Sequence, residues 1–304
     1  MVLKGFHKKY VRPIFRRVNH HKSRWFDRKD KVLILTYHRI LPVQDNQSFL
    51  NMVVPFQVFQ KQIQCISKQW PIISFNDLKQ QQRDGKSKAP LQVLLSFDDG
   101  YYDHFEYVFP WLKEHNIPAT FFVCTDAIGE KYPLWDWYLY EKLKGRFTER
   151  QIQNFIFKYK KLMASERHKK ILMEFGINVY HAFEQERCMS WDEIRIMAKG
   201  GMTLGSHGCS HSSLAGTSFR ISVQEIQESK IKIEENIGQK CGVFAFPYGA
   251  RDDFNNTLLE VVYRAGYEGC FSNIHGYNHF LMGDRLIFNR VIMTSNTDVR
   301  YLLG

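Results

Sequence analysis

The sequence predicts an α/β fold, a distorted (β/α) barrel of about seven parallel strands with a helical insertion. Three observations carry that expectation. Strand-like apolar runs recur along the 304-residue chain, at 32–37, 93–97, 119–123, 202–206, 243–246, 267–271 and 286–292. Stretches of helical period lie between them, at 55–69, 104–115, 191–199, 223–237 and 255–265. Strands that alternate with helices of this length are joined by crossovers and run parallel. Finally, His38, Asp98, Asp99, His207 and Tyr248 all fall just past strand-like runs. Barrels of this class build their sites at the C-terminal ends of the strands.

Each element has a local reason. Residues 1–30 form a basic extension, and 31–304 read as one barrel domain. The first strand ends at Tyr37-His38-Arg39. Polar residues 81–89 read as a loop ahead of the second strand. Residues 130–189 break the rhythm: Trp135, Asp136, Trp137, Tyr138 and Tyr140 precede a basic, largely helical stretch, which reads as an insertion between the third and fourth strands. Ser190 with Glu193 three residues on has the form of a capping box, and so starts the helix at 191.

The formal net charge is +11 and the pI about 9.3, with the basic excess concentrated at 4–31 and 142–170. Such a surface is either plain solvated surface or an attraction to an anionic membrane face. No nucleic-acid motif accompanies it, so nucleic acid is not an expected partner. Cys65, Cys124, Cys188, Cys209, Cys241 and Cys270 are scattered without a C-x-x-C pair, which suits buried thiols in a reducing compartment. The basic N-terminus lacks the apolar core of a signal peptide, and no apolar run reaches the roughly 18 residues of a membrane span. The expected location is cytoplasmic, at most touching the inner face of the cell membrane. Phe6, Tyr10, Ile14 and Phe15 among Lys and Arg would serve such a contact, or belong to a plain basic tail.

The chemistry concentrates in two segments. Ser96-Phe97-Asp98-Asp99-Gly100 ends an apolar strand in two carboxylates. Adjacent acids at a buried strand end are costly unless a metal or a proton uses them. Gly100 permits the tight turn that lets both acids reach one cavity, although Asp-Gly alone also makes an ordinary turn. His207-Gly208-Cys209-Ser210-His211 places two imidazoles at i, i+4, adjacent if the segment makes a helical turn. A carboxylate and two histidines form a three-ligand catalytic zinc pattern. Cys209 would point away from the shared face and is read as packing.

These segments together resemble the polysaccharide deacetylase family. Ser96–Gly100 matches its first motif and His207–His211 resembles its second, usually H-[ST]-x-x-H. Phe244-Ala245-Phe246-Pro247-Tyr248-Gly249 resembles its third, usually R-x-P-[FY]. Leu35-Thr36-Tyr37-His38-Arg39-Ile40 resembles the Y-H segment of members found with exopolysaccharide synthesis, and residues 117–123 match a further family segment. The resemblance spans roughly 30–295. It implies Asp98 as general base, and Asp99, His207 and His211 as ligands of a divalent metal, zinc by ligand type. It also implies the Tyr248 backbone N–H as oxyanion donor. Three departures stand out. Gly208 replaces the usual Ser or Thr, Ala245 replaces the usual Arg, and the late Leu-His acid motif is missing. Arg290 is a substitute partner for Asp98 or a structural ion-pair residue. His38, at a strand end, is a site residue or a satisfied core histidine, while His275 and His279 fall in a Gly/Asn-rich loop.

The resulting expectation is a carbohydrate N-deacetylase acting on a surface polysaccharide or lipid-linked glycan. Deformylation of a lipid-linked amino sugar and a catalytically weak sugar-binding barrel are the alternatives. Acetate release, formate release or neither separates the three.

Overall fold

The computed structural model describes residues 31–42, 52–280 and 287–303; the basic extension, with Phe6, Tyr10, Ile14 and Phe15, lies outside them. The chain opens with β1 (Lys31–Tyr37) and a small parallel pair, β2 (Arg39–Leu41) and β3 (Val53–Pro55). Helix α1 (Phe56–Ser67) buries Phe59, Ile63 and Ile66, one helical face, against the sheet. Helix α2 (Phe75–Arg83) starts at a capping box made by Ser74 and Asp77. It takes up the first three residues of the expected 81–89 loop, because its propensity is carried by polar Gln and Lys rather than by an apolar stripe.

Strand β4 (Leu91–Phe97) is buried along its whole length, as a central parallel strand should be. A π-turn (His104–Val108) then leads into α3 (Phe109–Glu114), where one continuous helix was expected. After β5 (Thr120–Val123) come the insertion helices α4 (Trp135–Leu143), α5 (Glu149–Tyr159) and α6 (Ala164–Phe175). Helix α7 (Trp191–Lys199) begins at the Ser190–Glu193 capping box, as expected. The remaining elements are β6 (Thr203–Ser206), α8 (Phe219–Ile237), β7 (Val243–Ala245), α9 (Asn256–Arg264), β8 (Gly269–Phe271), β9 (Asn278–His279), β10 (Ile287–Phe288), β11 (Val291–Ile292) and α10 (Val299–Leu303).

The sheet runs β10-β8-β7-β6-β5-β4-β1-β11, parallel throughout, with β9 antiparallel on β1. The last expected strand, 286–292, is therefore two. Its first half pairs with β8 and its second half with β1, so the break at Asn289-Arg290 joins the two edges into a nearly closed barrel. Alternate residues of the strands, among them Val32, Ile34, Leu94, Phe122, Val243, Ala245, Phe271 and Phe288, fill the interior with Phe75 and Leu78 of α2. The other faces pack against the helices in a larger cluster. Among the described residues, no helix is long and apolar enough to cross a membrane.

Candidate active site

Parallel pairing puts the C-terminal ends of β1, β4, β6 and β7 at one mouth of the barrel. His38 directly follows β1, Asp98 and Asp99 follow β4, His207 follows β6, and Tyr248 lies three residues past β7. Four non-glycine residues among those described have positive φ, and three of them are here: Asp99 (81°), His211 (53°) and Tyr248 (61°). Left-handed backbone costs roughly 1–3 kcal/mol per such residue and persists where surrounding structure imposes it, often at functional sites.

The two carboxylates face different surroundings. Asp98 has no exposed surface, and both its oxygens meet the Arg290 guanidinium: Nη1 donates to Oδ1 and Nη2 to Oδ2, each at 2.7 Å. Arg290 is itself fully buried, and its Nε donates to the Ser272 carbonyl at 2.8 Å. Burial pushes the Asp98 carboxyl upward, but Arg290, then His207 and His38, hold it well below the usual carboxylate range. Asp99 turns the other way at the left-handed step. Burial, with the neighbouring charges of Asp136 and Asp98, outweighs His211 and pushes its carboxyl up to about 7. Asp99 lines the cavity and Asp98 lies fully buried beneath it, and the two carboxylates flank one imidazole, Asp98 Oδ2 at 4.0 Å and Asp99 Oδ1 at 3.6 Å from His207 Nε2.

The histidine segment is an irregular loop, not the helical turn that the i, i+4 spacing suggested. Left-handed backbone at Gly208 (φ +77°) and His211 breaks any helical run. The imidazoles still converge, with ring centroids 5.3 Å apart. Glu225 of α8 holds the loop, accepting from the backbone N–H groups of Cys209 at 2.6 Å and Ser210 at 3.0 Å. Cys209 is buried in packing, its Sγ 3.6 Å from the Glu225 carbonyl. Ala245, where the family usually has Arg, packs its methyl in the barrel interior, and its carbonyl lies 2.8 Å from His207 Nδ1. With Nδ1–H donated there, His207 presents the Nε2 lone pair inward. Burial pushes the His207 imidazole down to about 3 and His38 down to about 4, so both are neutral near pH 7.

His207 Nε2 and His211 Nε2 lie 3.6 and 3.4 Å from Asp99 Oδ1, a buried oxygen with no hydrogen-bond partner. One ligand atom from each of the three residues falls within 4.8 Å of the others. An orphaned carboxylate oxygen, a carboxyl that burial pushes up despite nearby His211, and two imidazole nitrogens suit a divalent cation. Asp99, His207 and His211 would hold it.

A cavity of about 200 Å³ opens over this cluster, walled by His38, Asp99, His207, His211 and Tyr248 and by apolar Met52, Trp137, Ile156 and Phe157. Trp137 comes from α4 and Ile156 and Phe157 from α5, so the insertion roofs the cleft. His38 Nε2 lies 3.8 Å from Asp98 Oδ2, while its buried Nδ1 has no partner. His275 and His279 are exposed and line no part of the cavity. Sequence reasoning missed two residues. Asp136 sits 3.0 Å from His211, but its position in an aromatic helix start gave no metal signal. Lys160, buried, pairs with Asp253 at 2.6 Å and stands over the Tyr248 ring. It was hidden in a basic run that reads as solvated.

The nearly closed parallel barrel is a fold seen in solved deacetylase structures. The profile of the polysaccharide deacetylase family matches residues 85–270, and the chain belongs to that family. YxkH of Bacillus subtilis (strain 168) is 21% identical over 249 residues, 81% of this chain; the match spans 66% of that relative's length. Several solved structures share the fold, these two among them. The Streptococcus pyogenes deacetylase PplD, in complex with acetate, is 20% identical, with a TM-score of 0.63 over 90% of this chain and 96% of that one. IcaB from Ammonifex degensii is 20% identical, with a TM-score of 0.61 over 87% and 92%.

Proposed function

We propose that this protein is a divalent-metal-dependent hydrolase that removes the N-acetyl group from an amino sugar of a surface polysaccharide or lipid-linked glycan. One observation carries the reading: Asp99, His207 and His211 converge beside Asp98 at the floor of the cleft, in a chain of the polysaccharide deacetylase family. Zinc is the metal that fits two imidazoles and one carboxylate best. When bound, it supplies Lewis-acid polarisation of the acyl oxygen and eases ionisation of water near pH 7.

The chain's own residues do the rest. Asp98, oriented by Arg290, accepts a proton as water oxygen bonds to the acyl carbon. Charge building on the acyl oxygen is met by the backbone N–H of Tyr248. The C–N bond then breaks, and the proton passes from Asp98 to the leaving nitrogen by way of His38, whose Nε2 faces Asp98 Oδ2 at 3.8 Å. Amide and water thus become acetate and amine with no proton lost or gained beyond their own ionisation. Trp137 and Phe157 offer the apolar faces that the C–H side of a sugar ring packs on. Exposed Lys161 and Lys169 on the insertion suit an anionic lipid face, in keeping with a lipid-linked substrate met at the inner membrane surface.

The test is acetate release from N-acetylated amino-sugar oligomers by zinc-loaded protein. Acetate with new free amines supports the reading. Formate from an N-formyl substrate alone moves the acyl group, and binding without release of either acid leaves a sugar-binding barrel.

A further inference from the structure

Both histidines of the proposed metal site have their second ring nitrogen engaged, but by different chemistry. His207 Nδ1 meets a neutral carbonyl, that of Ala245, from the barrel itself. His211 Nδ1 meets a carboxylate oxygen, Asp136 Oδ2, at 3.0 Å, within ion-pair distance though not aligned as a full hydrogen bond. Asp136 comes from the first turn of α4, in the insertion. An acid in a first helical turn ordinarily faces water and complements the helix dipole. This one is buried at 5% exposure and points into the site. The Tyr248 hydroxyl donates to the same Oδ2 at 2.9 Å, and the Trp137 backbone N–H donates to Oδ1 at 3.0 Å. Two insertion helices, α4 and α6, are pinned to the histidine loop. Trp135 Nε1 donates to the His211 carbonyl at 3.0 Å, and Arg167 of α6 donates to the Ser210 carbonyl and the Ser212 hydroxyl, each at 2.7 Å.

We propose that Asp136 is a positioning residue for the metal ligand His211. Its carboxylate fixes that imidazole so that Nε2 is held toward Asp99, and the insertion thereby becomes part of the metal site as well as the roof of the cleft. The proposal rests on the metal reading above. A carboxylate behind a ligating imidazole sets the tautomer and raises the basicity of the coordinating nitrogen, and losing it typically weakens metal binding about 10–100-fold.

The experiment is titration of Zn2+ into the metal-free full chain against a chromophoric chelator. Wild type, Asp136→Asn and His211→Ala are compared, with thermal melting of each metal-free protein as the check on folding. Asp136→Asn keeps the size of the side chain and removes the charge. The proposal expects a melting temperature close to wild type and zinc affinity about 10–100-fold weaker, with tight binding abolished in His211→Ala. Wild-type affinity in Asp136→Asn overturns it. A loss as complete as that of His211→Ala also overturns it, since Asp136 would then be a ligand. If wild type itself binds no zinc, the metal reading falls and takes this inference with it. If wild type binds and Asp136→Asn is unchanged, only this inference falls.

Discussion

Arg290 grips both oxygens of Asp98 from the break between β10 and β11, reaching past β1 to the end of β4. Ala245 has no charge to offer at the position where the family usually places Arg, and Arg290 delivers a guanidinium to the same carboxylate. The pair is fully buried and bidentate, the geometry in which Arg gives most orientation. Its cost is a carboxylate held low and so a weaker proton acceptor, which places the gain in geometry rather than in basicity.

The first prediction follows from that pair. Arg290→Met should lower turnover and move the acidic limb of the pH–rate profile to higher pH. The sign is set by the guanidinium, which favours ionised Asp98; without it the carboxyl protonates at higher pH, and the base must be ionised to work. Removing one partner of a buried pair also costs about 3–5 kcal/mol, so melting should be recorded beside the kinetics. Arg290→Lys, which keeps the charge but not the fork, should restore stability better than rate. An unmoved acidic limb in a folded Arg290→Met protein would remove the pairing from catalysis.

Asp98 and Asp99 should separate by phenotype. Asp98→Asn should keep its metal and lose about a hundredfold or more in rate, the scale of a missing general base. Asp99→Asn should lose the metal. Ion content of the two variants by elemental analysis decides, and the reverse pattern would mean that the roles are exchanged.

Metal-free protein should show the strain at Asp99 as a pH dependence. Its carboxyl is pushed up to about 7, against about 4 in an unfolded chain. Between those values the folded state holds a proton that the unfolded state has released, so this contribution falls as pH rises and is fully lost above about 7. With chelator present, Asp99→Asn should therefore gain stability over wild type as pH rises from about 4 to about 7, by at most roughly 4 kcal/mol, then level off. Melting curves of the two proteins at several pH values measure the gap. A gap independent of pH would show that Asp99 is not so perturbed.

Gly208 offers a test against the family pattern. A side chain there would sit at φ +77°, with its Cβ 3.0 Å from Glu225 Oε2. Gly208→Ser, which restores the more usual hydroxyl type, should thus destabilise the loop by about 1–2 kcal/mol rather than brace it. Glu225→Gln should also lower the melting temperature, since a charged acceptor of two backbone N–H groups is lost. A Gly208→Ser protein that melts higher than wild type would contradict this account of the loop.

The barrel was legible because its strands are short apolar runs bounded by helices of plain period, and because charged residues follow those runs. The broken final strand was not, since Asn289-Arg290 carries no Gly or Pro to mark a break. The pairing that splits it is set by barrel closure, a long-range event. Arg290 could be nominated for Asp98 only through the family resemblance, because Ala245 stands where the third motif usually has Arg and leaves the acid without that charged partner. Asp136 could not be nominated for His211. The two lie 75 positions apart, and an acid in a first helical turn has an ordinary local explanation. The i, i+4 histidine spacing anticipated that the two imidazoles would converge but not by which geometry, because positive φ at Gly208 and His211 does by a loop what a helix would do by its period.

The central claim is a divalent-ion site built from Asp99, His207 and His211. Elemental analysis of purified wild type and of the His207→Ala, His211→Ala double variant tests it directly. About one divalent ion per wild-type chain, and none in the double variant, is the predicted result for a three-ligand site. Undiminished metal in a folded double variant would contradict it.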